Sequence, residues 1–339
     1  MVPVMDHLAD AVDRTAQAHG FSGVVRVDRN TAVEVAAAYG WSNRAYGIAT
    51  TVDTQFGIAS ATKGLTALAV MTLIQDGALD LSTPARSVLG ADLPLIDDAV
   101  TIEHLLSHRS GIGDYMDEDL DLDLSEYLLP VGVHLLDTTE HYLAVLDGFA
   151  AKFAPGETFS YCNGGYVVLA LIAERVSGVP FHELVRHRVC APAGMADTDF
   201  LRSDELPARA AVGYLQVDGR WRTNVFHLPV RGSGDGGIYS TVADIHAFWA
   251  ALFAGRIVPP DRVAAMVRSR SDVPSEPRRY GLGFWLHESR NVVLLEGCDT
   301  GVSFHSAHDP AAQTTHTVIA NTADGAWAIA RLIDERLAG

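Results

Sequence analysis

The sequence predicts an α+β protein: one antiparallel sheet built from both termini, covered by helices, with a mainly helical lobe inserted between. Three observations lead there. Valine-rich, alternating segments occupy residues 21–39 and return only after residue 280. Between them, apolar residues recur at helical spacing and glycines stop the runs. Both ends of the chain carry amphipathic helical patterns, and these suit a cover for one sheet face. A single module over residues 1–339 follows, with an α/β lobe at about 1–60 and 256–339 and a helical lobe at about 61–255.

In chain order, residues 3–18 place Val4, Leu8, Val12 and Ala16 at helical spacing. Residues 21–28 and 31–39 alternate around Arg29-Asn30 and read as a β-hairpin. Residues 54–59 approach a helix over 60–76, with Leu65, Leu68, Met71 and Leu73 as its apolar stripe and Gly77 as its left-handed stop. Thr101 is a capping threonine for a short helix to Ser107. Apolar helices are expected at 164–177, ended by Gly178, and at 241–253, ended by Gly255. Strands are expected at 281–287, 291–296, 302–307 and 315–321, and a last amphipathic helix at 324–337. Residues 114–126 (DYMDEDLDLDLSE) hold seven acidic side chains but neither the central glycine nor the distal glutamate of a calcium loop. A solvated loop is expected, and if it lies at a site mouth it disfavours anionic substrates.

Composition excludes several classes. A net charge of −17 over 339 residues repels nucleic acid and anionic membranes, so neither is an expected partner. Cys162, Cys190 and Cys298 are odd in number and lack C-x-x-C spacing, which argues against a disulfide framework or a thiolate zinc site. No run of about 18 apolar residues occurs, and the first twenty residues lack the pattern of a secretory signal. A soluble cytoplasmic protein is expected. The glycine-rich residues 232–237 are not followed by the Lys-Ser/Thr of a phosphate loop, and no H-E-x-x-H motif appears. No cofactor and no metal are expected.

The chemistry begins at Ser60-Ala61-Thr62-Lys63. At a helix start, positions i and i+3 share a face, so the hydroxyl meets the amine. Serine needs a base beside it, and a lysine serves once burial depresses its pKa. Tyr161-Cys162-Asn163 supplies further candidates. A phenol near an ammonium has its phenolate favoured, and an asparagine two residues on can orient the lysine.

Four ordered segments carry a resemblance. Residues 56–63 (FGIASATK) resemble the nucleophile segment of class C β-lactamases, family VIII esterases and related D-stereospecific peptidases. Residues 101–111 (TIEHLLSHRSG) resemble a second segment, with Arg109 in place of its usual threonine. Residues 155–178 and 234–248 (GDGGIYSTVADIHAF) resemble two more. The resemblance to this penicillin-binding-protein-like serine hydrolase family implies the β-lactamase/transpeptidase-like fold. It implies acylation of Ser60, with Lys63 and Tyr161 as the activating pair and Asn163 holding Lys63 and touching substrate. The Ser60 N–H would be half of an oxyanion hole. The third family motif, Lys-Thr-Gly or His-x-Gly, is matched best by residues 297–301 (GCDTG). Cys298 then replaces the basic residue, and Gly301 offers the second oxyanion N–H. A neutral cysteine neither binds a carboxylate nor tunes the tyrosine, so an uncharged ester, amide or thioester fits better than a carboxylate-bearing β-lactam. His305 or His308 could fill in for the missing base.

The expected function is a serine acyl hydrolase acting on a small ester, amide or peptide-like substrate. The alternatives are an acyltransferase or transpeptidase using the same acyl-enzyme, and an inactive binding protein that keeps the fold. Cys298 as a nucleophile is a further reading, set against an inert small residue. The sequence does not indicate an oligomeric state.

Overall fold

The computed structural model describes residues 7–30, 32–120, 127–273 and 275–338. Alternating valines produce β1 (Gly23–Arg29) and β2 (Ala32–Tyr39), joined at Arg29-Asn30 as the sequence predicts. The late strands are β3 (Ser271–Asp272), β4 (Arg278–Tyr280), β5 (Trp285–His287), β6 (Val293–Asp299), β7 (Val302–Asp309) and β8 (Thr314–Ala320). They form one antiparallel sheet in the order β2-β1-β8-β7-β6-β5-β4-β3. Gly23 lies opposite Ala320, so the first and last strands are neighbours, second and third in the sheet.

Strand period 2 sorts the side chains between two covers. Val25, Val27, Val318 and Ala320 face α1 (Leu8–Ala18) and the C-terminal helix, packing on Val12, Ala16, Ile329 and Ile333. Val24, Phe304 and Ile319 face the larger core, which includes α2 (Thr62–Gln75), α4 (Asn163–Ser177) and α5 (Val242–Phe253). The C-terminal helix is α6 (Trp327–Ala338), and α3 is the short helix Ile102–Leu106. Thr101 caps α3 in a reciprocal box, its hydroxyl accepting from His104 N while His104 Nδ1 accepts from Thr101 N. Gly77, Gly178 and Gly255 all adopt positive φ just beyond their helices.

Several expectations are corrected. The helix expected from residue 60 is a 3₁₀ turn at Ala59–Ala61 followed by α2. Its predicted stripe is a sleeve: every residue from Thr62 to Ile74 is buried, as befits a helix apolar all round. The strand expected at 281–287 shrinks to β5. The two strands at the edge remote from β2, β3 and β4, are too short to show a period, and a hairpin of Tyr214–Val217 with Arg220–Thr223 interrupts the expected helical stretch. Val4, Asp121, Asp123 and Glu126 lie outside the described residues. No single helix among the described residues is long and apolar enough to cross a membrane.

Candidate active site

The serine turn is clamped from two sides. Phe56–Gly57 pairs with Tyr239–Ser240, and Ile58 N donates to Ile238 O. Ala59 then adopts a left-handed φ of 45°, a conformation that costs an L-residue about 1–2 kcal/mol. This bend turns the strand into the helix with Ser60 at the corner. The glycine-rich segment lies behind it: Gly234 O accepts from Thr66 Oγ1 at 2.7 Å. A Cβ on Gly234 would come within 2.1 Å of Tyr166 O, so the strap needs glycine there.

Lys63, one turn on from Ser60, is 1 % exposed. Its Nζ lies 2.9 Å from Ser60 Oγ, 2.7 Å from Asn163 Oδ1 and 2.8 Å from Asp235 O. Burial lowers its pKa, against the pull of Asp235, Glu118, Asp114 and Asp299. Asn163 is fixed on its other side, donating from Nδ2 to Met116 O and Glu118 Oε1, each at 3.1 Å.

Tyr161 joins this group, with Lys63 Nζ 4.9 Å from its ring centroid. Its ring stacks on Trp285 at 5.7 Å and lies 4.3 Å from the His108 ring. His108 Nδ1 accepts from Cys162 N at 3.0 Å, so this buried imidazole fixes the backbone beside Tyr161. The expected phenolate is not favoured. Burial pushes the Tyr161 phenol well above its ordinary value, Glu118 and Tyr280 add to this, and the hydrogen bond with Ser60 only opposes it. Desolvation outweighs the nearby amine.

Gly301 is not brought to Ser60. It sits in the two-residue turn between Asp299 and Val302 with φ 74°, beside Gly213, Tyr214 and Asn224. The strand glycine Gly297 lies against the serine turn instead: a Cβ there would stand 2.3 Å from Ile58 O and 2.8 Å from Ser60 N. Cys298 follows it and lines both cavities that open at Ser60. The Cys298 side chain reaches solvent, yet loss of water around its sulfur, then Asp299, Glu118 and Asp324, push the thiol up to about 12. A thiol held up in this way is a poor source of thiolate, which speaks against the cysteine-nucleophile reading. His305 and His308 do not fill in for the missing base: they bond Glu296 and Thr315 within the sheet.

The sequence missed the acidic wall. Asp114 is buried, its carboxylate accepting from Asn163 N and Gly164 N at the start of α4. Burial pushes its carboxyl up to about 6. Glu118 lines both cavities, and Asp235 and Asp299 line the first. Burial, opposed by the Thr300 N–H and joined by Asp235, pushes Asp299 up to about 7. Such carboxyls hold a proton in the folded state that they lose when unfolded. Their contribution to stability is complete below about pH 3.8 and is lost as pH rises through about 6 and 7. Asp299→Asn is therefore expected to raise Tm at pH 8 by roughly 2 °C or more, the gain vanishing near pH 4. Thermal melts across that range check it, and a gain that grows toward acid pH contradicts the assignment.

Comparison with known proteins places this geometry. PbpX of Bacillus subtilis (strain 168), which carries a penicillin-binding-protein name, is 27% identical over 271 residues, covering 79% of this chain and 62% of that protein. The chain thus spans less than two thirds of that relative's length. Esterase EstB of Burkholderia gladioli is 30% identical over 291 residues, covering 77% of this chain and 73% of EstB. The crystal structure of a penicillin-binding protein from Bacillus halodurans superposes with a TM-score of 0.90 at 33% identity, covering 96% of this chain and 99% of that one. The sheet built from both termini is the β-lactamase/transpeptidase-like architecture. The profile of the family described as Beta-lactamase matches residues 8–337, and this chain belongs to that family.

Proposed function

We propose that the chain is a serine acyl hydrolase that forms an acyl-enzyme on Ser60. The observation that carries this reading is the 2.9 Å contact of Ser60 Oγ with Lys63 Nζ, at the junction of two cavities. As a neutral amine, Lys63 keeps two N–H bonds to Asn163 Oδ1 and Asp235 O and turns its lone pair to the serine hydroxyl. Ser60 Oγ then attacks the carbonyl carbon as its proton passes to Lys63. The oxyanion is held by the Ser60 N–H and, in the position first assigned to Gly301, by the Cys298 N–H. Each such donor is worth about 3 kcal/mol in comparable sites. Tyr161, retained as a phenol, donates toward Ser60 Oγ and relays the proton to the departing alkoxide or amine. Water resolves the ester by the reverse path. The esterase name of EstB supports acyl chemistry on esters.

The acidic wall narrows the substrate. Glu118 lines both cavities beside Ser60, Asp235 and Asp299 add partial charge, and Cys298 brings no cation. A carboxylate on the acyl group meets like charge, whereas a neutral or ammonium-bearing ester or amide does not. Matched aryl esters carrying an ammonium or a carboxylate are expected to differ at least tenfold in kcat/KM, about 1.4 kcal/mol. Glu118→Gln should narrow that gap. Fluorophosphonate labelling followed by mass spectrometry tests the nucleophile: the adduct is expected on Ser60 and absent from Ser60→Ala. Labelling of Ser60→Ala at the wild-type rate would end the proposal.

A further inference from the structure

On the face of the sheet away from Ser60, three ligand-type side chains converge from three elements. His305 on β7 and His316 on β8 share a face, since Ala307 lies opposite His316 and His305 is two residues along. Asp334 reaches them from α6. His305 Nε2 and His316 Nε2 are 3.1 Å apart, His316 Nε2 is 3.1 Å from Asp334 Oδ1, and His305 Nε2 is 3.6 Å from Asp334 Oδ2. Both imidazoles are buried, at 2% and 4% exposure, while the Asp334 side chain is 37% exposed.

His305 Nδ1 lies 2.7 Å from Glu296 Oε1, and Glu296 also pairs with Arg278. Each of His305, His316 and Asp334 brings one metal-ligating atom to a common point, all of them within 4.8 Å of one another. Zinc–nitrogen distances of about 2.0–2.1 Å in a tetrahedron set ligand atoms roughly 3.3–3.4 Å apart, close to the 3.1 Å between the two imidazole nitrogens and to the 3.1 and 3.6 Å from these to the two oxygens of Asp334. Glu296 behind His305 is the outer carboxylate that orients a metal-binding imidazole. Two imidazoles and one carboxylate suit a divalent transition ion and not calcium or magnesium.

We propose that His305, His316 and Asp334 bind a zinc ion, with water completing a tetrahedron on the exposed Asp334 side. The ion ties α6 to β7 and β8. Through Glu296 it also braces β6, the strand that carries Gly297 and Cys298 past the serine turn. No spacing in the sequence signals this site, because its ligands stand on three separate elements; the expectation of no metal rested on spacing motifs alone. This inference does not rest on the acyl chemistry proposed above.

The test uses the full chain without an affinity tag, stripped with chelator and titrated with Zn²⁺ by calorimetry. Co²⁺ serves as a spectroscopic probe. The expected result is one ion per chain with Kd of about 1 μM or tighter, a higher Tm with metal, and the visible bands of four-coordinate cobalt. Glu296→Gln should weaken binding about 10- to 100-fold, and His316→Gln should abolish it. Should the buried His316→Gln variant fail to fold, Asp334→Asn, at a partly exposed position, decides with the same readout. Ser60→Ala should bind as the wild type does. Absence of saturable binding overturns the proposal, and so does wild-type affinity in the folded His316 or Asp334 variant.

Discussion

Lys63→Met is expected to lower kcat/KM for a reactive ester about 10³-fold or more and to remove the acid limb of its pH profile. Methionine keeps the unbranched bulk of lysine in the buried slot beneath Ser60, so the packing of α2 changes little. What goes is the nitrogen that bonds Ser60 Oγ, Asn163 Oδ1 and Asp235 O together. Loss of a positioned base typically costs about 10²–10⁴-fold, and the unfastening of Asn163 adds to it. The sign of the pH effect follows from the lowered Lys63 pKa. Only the neutral amine can take the serine proton, so wild-type kcat/KM rises with pH until the amine is free, at a pH below the ordinary lysine value of 10.5. The variant has no such group and its residual rate should be flat there. A pH–rate series on both proteins decides, and a persisting acid limb in Lys63→Met moves the base elsewhere.

Gly297→Ala should be nearly as damaging to kcat, although the added group is one methyl and touches no substrate. That methyl would sit 2.3 Å from Ile58 O and 2.8 Å from Ser60 N, both backbone atoms. Neither is the free end of a side chain, so strand β6 must move off the serine turn or the turn must bend. Overpacking of this kind costs about 1–3 kcal/mol of stability. The larger effect falls on the amides of Ser60 and Cys298, which have to point at one oxyanion. Loss of one donor is worth about 10²–10³-fold in kcat. KM for a small ester should change far less, because the cavity walls are elsewhere. Gly301→Ala provides the contrast. It is strained at its positive φ and is expected to affect Tm more than kcat, since its turn lies away from Ser60. Equal losses of kcat in the two variants would contradict this placement of the oxyanion donors.

The contrast between those glycines shows what the sequence could and could not reveal. Asp299 and Val302 bracket a two-residue hairpin turn in which Thr300-Gly301 needs positive φ at the glycine. That turn rule marks Gly301 as a corner and leaves Gly297 as the glycine inside a strand, the usual sign of close backbone approach. The segment GCDTG carries both signals, one for each glycine. Ser60 and Lys63 were legible because one helical turn links them. Tyr161 and Asn163 lie about a hundred residues away from Lys63, and only the resemblance to a family joins such distant positions. Asp114 and Glu118 were hidden by their own neighbourhood: a run of acids has no period, so nothing separates the two that face the site from those that meet water. The central strands were visible as valine alternation, whereas β3 and β4 take only two and three residues and carry no pattern.

The pairing of β1 with β8 has a consequence for how the molecule is made. A ribosome adds about 5–20 residues per second, so β1 waits roughly 15–60 s for the neighbour that completes its ladder. Throughout that interval Val25 and Val27 lack the C-terminal cover, and an unpaired valine-rich edge is prone to self-association. Biosynthesis of this chain should therefore depend on chaperone occupancy late in translation. Even a short deletion at its carboxyl end should leave most product in inclusion bodies.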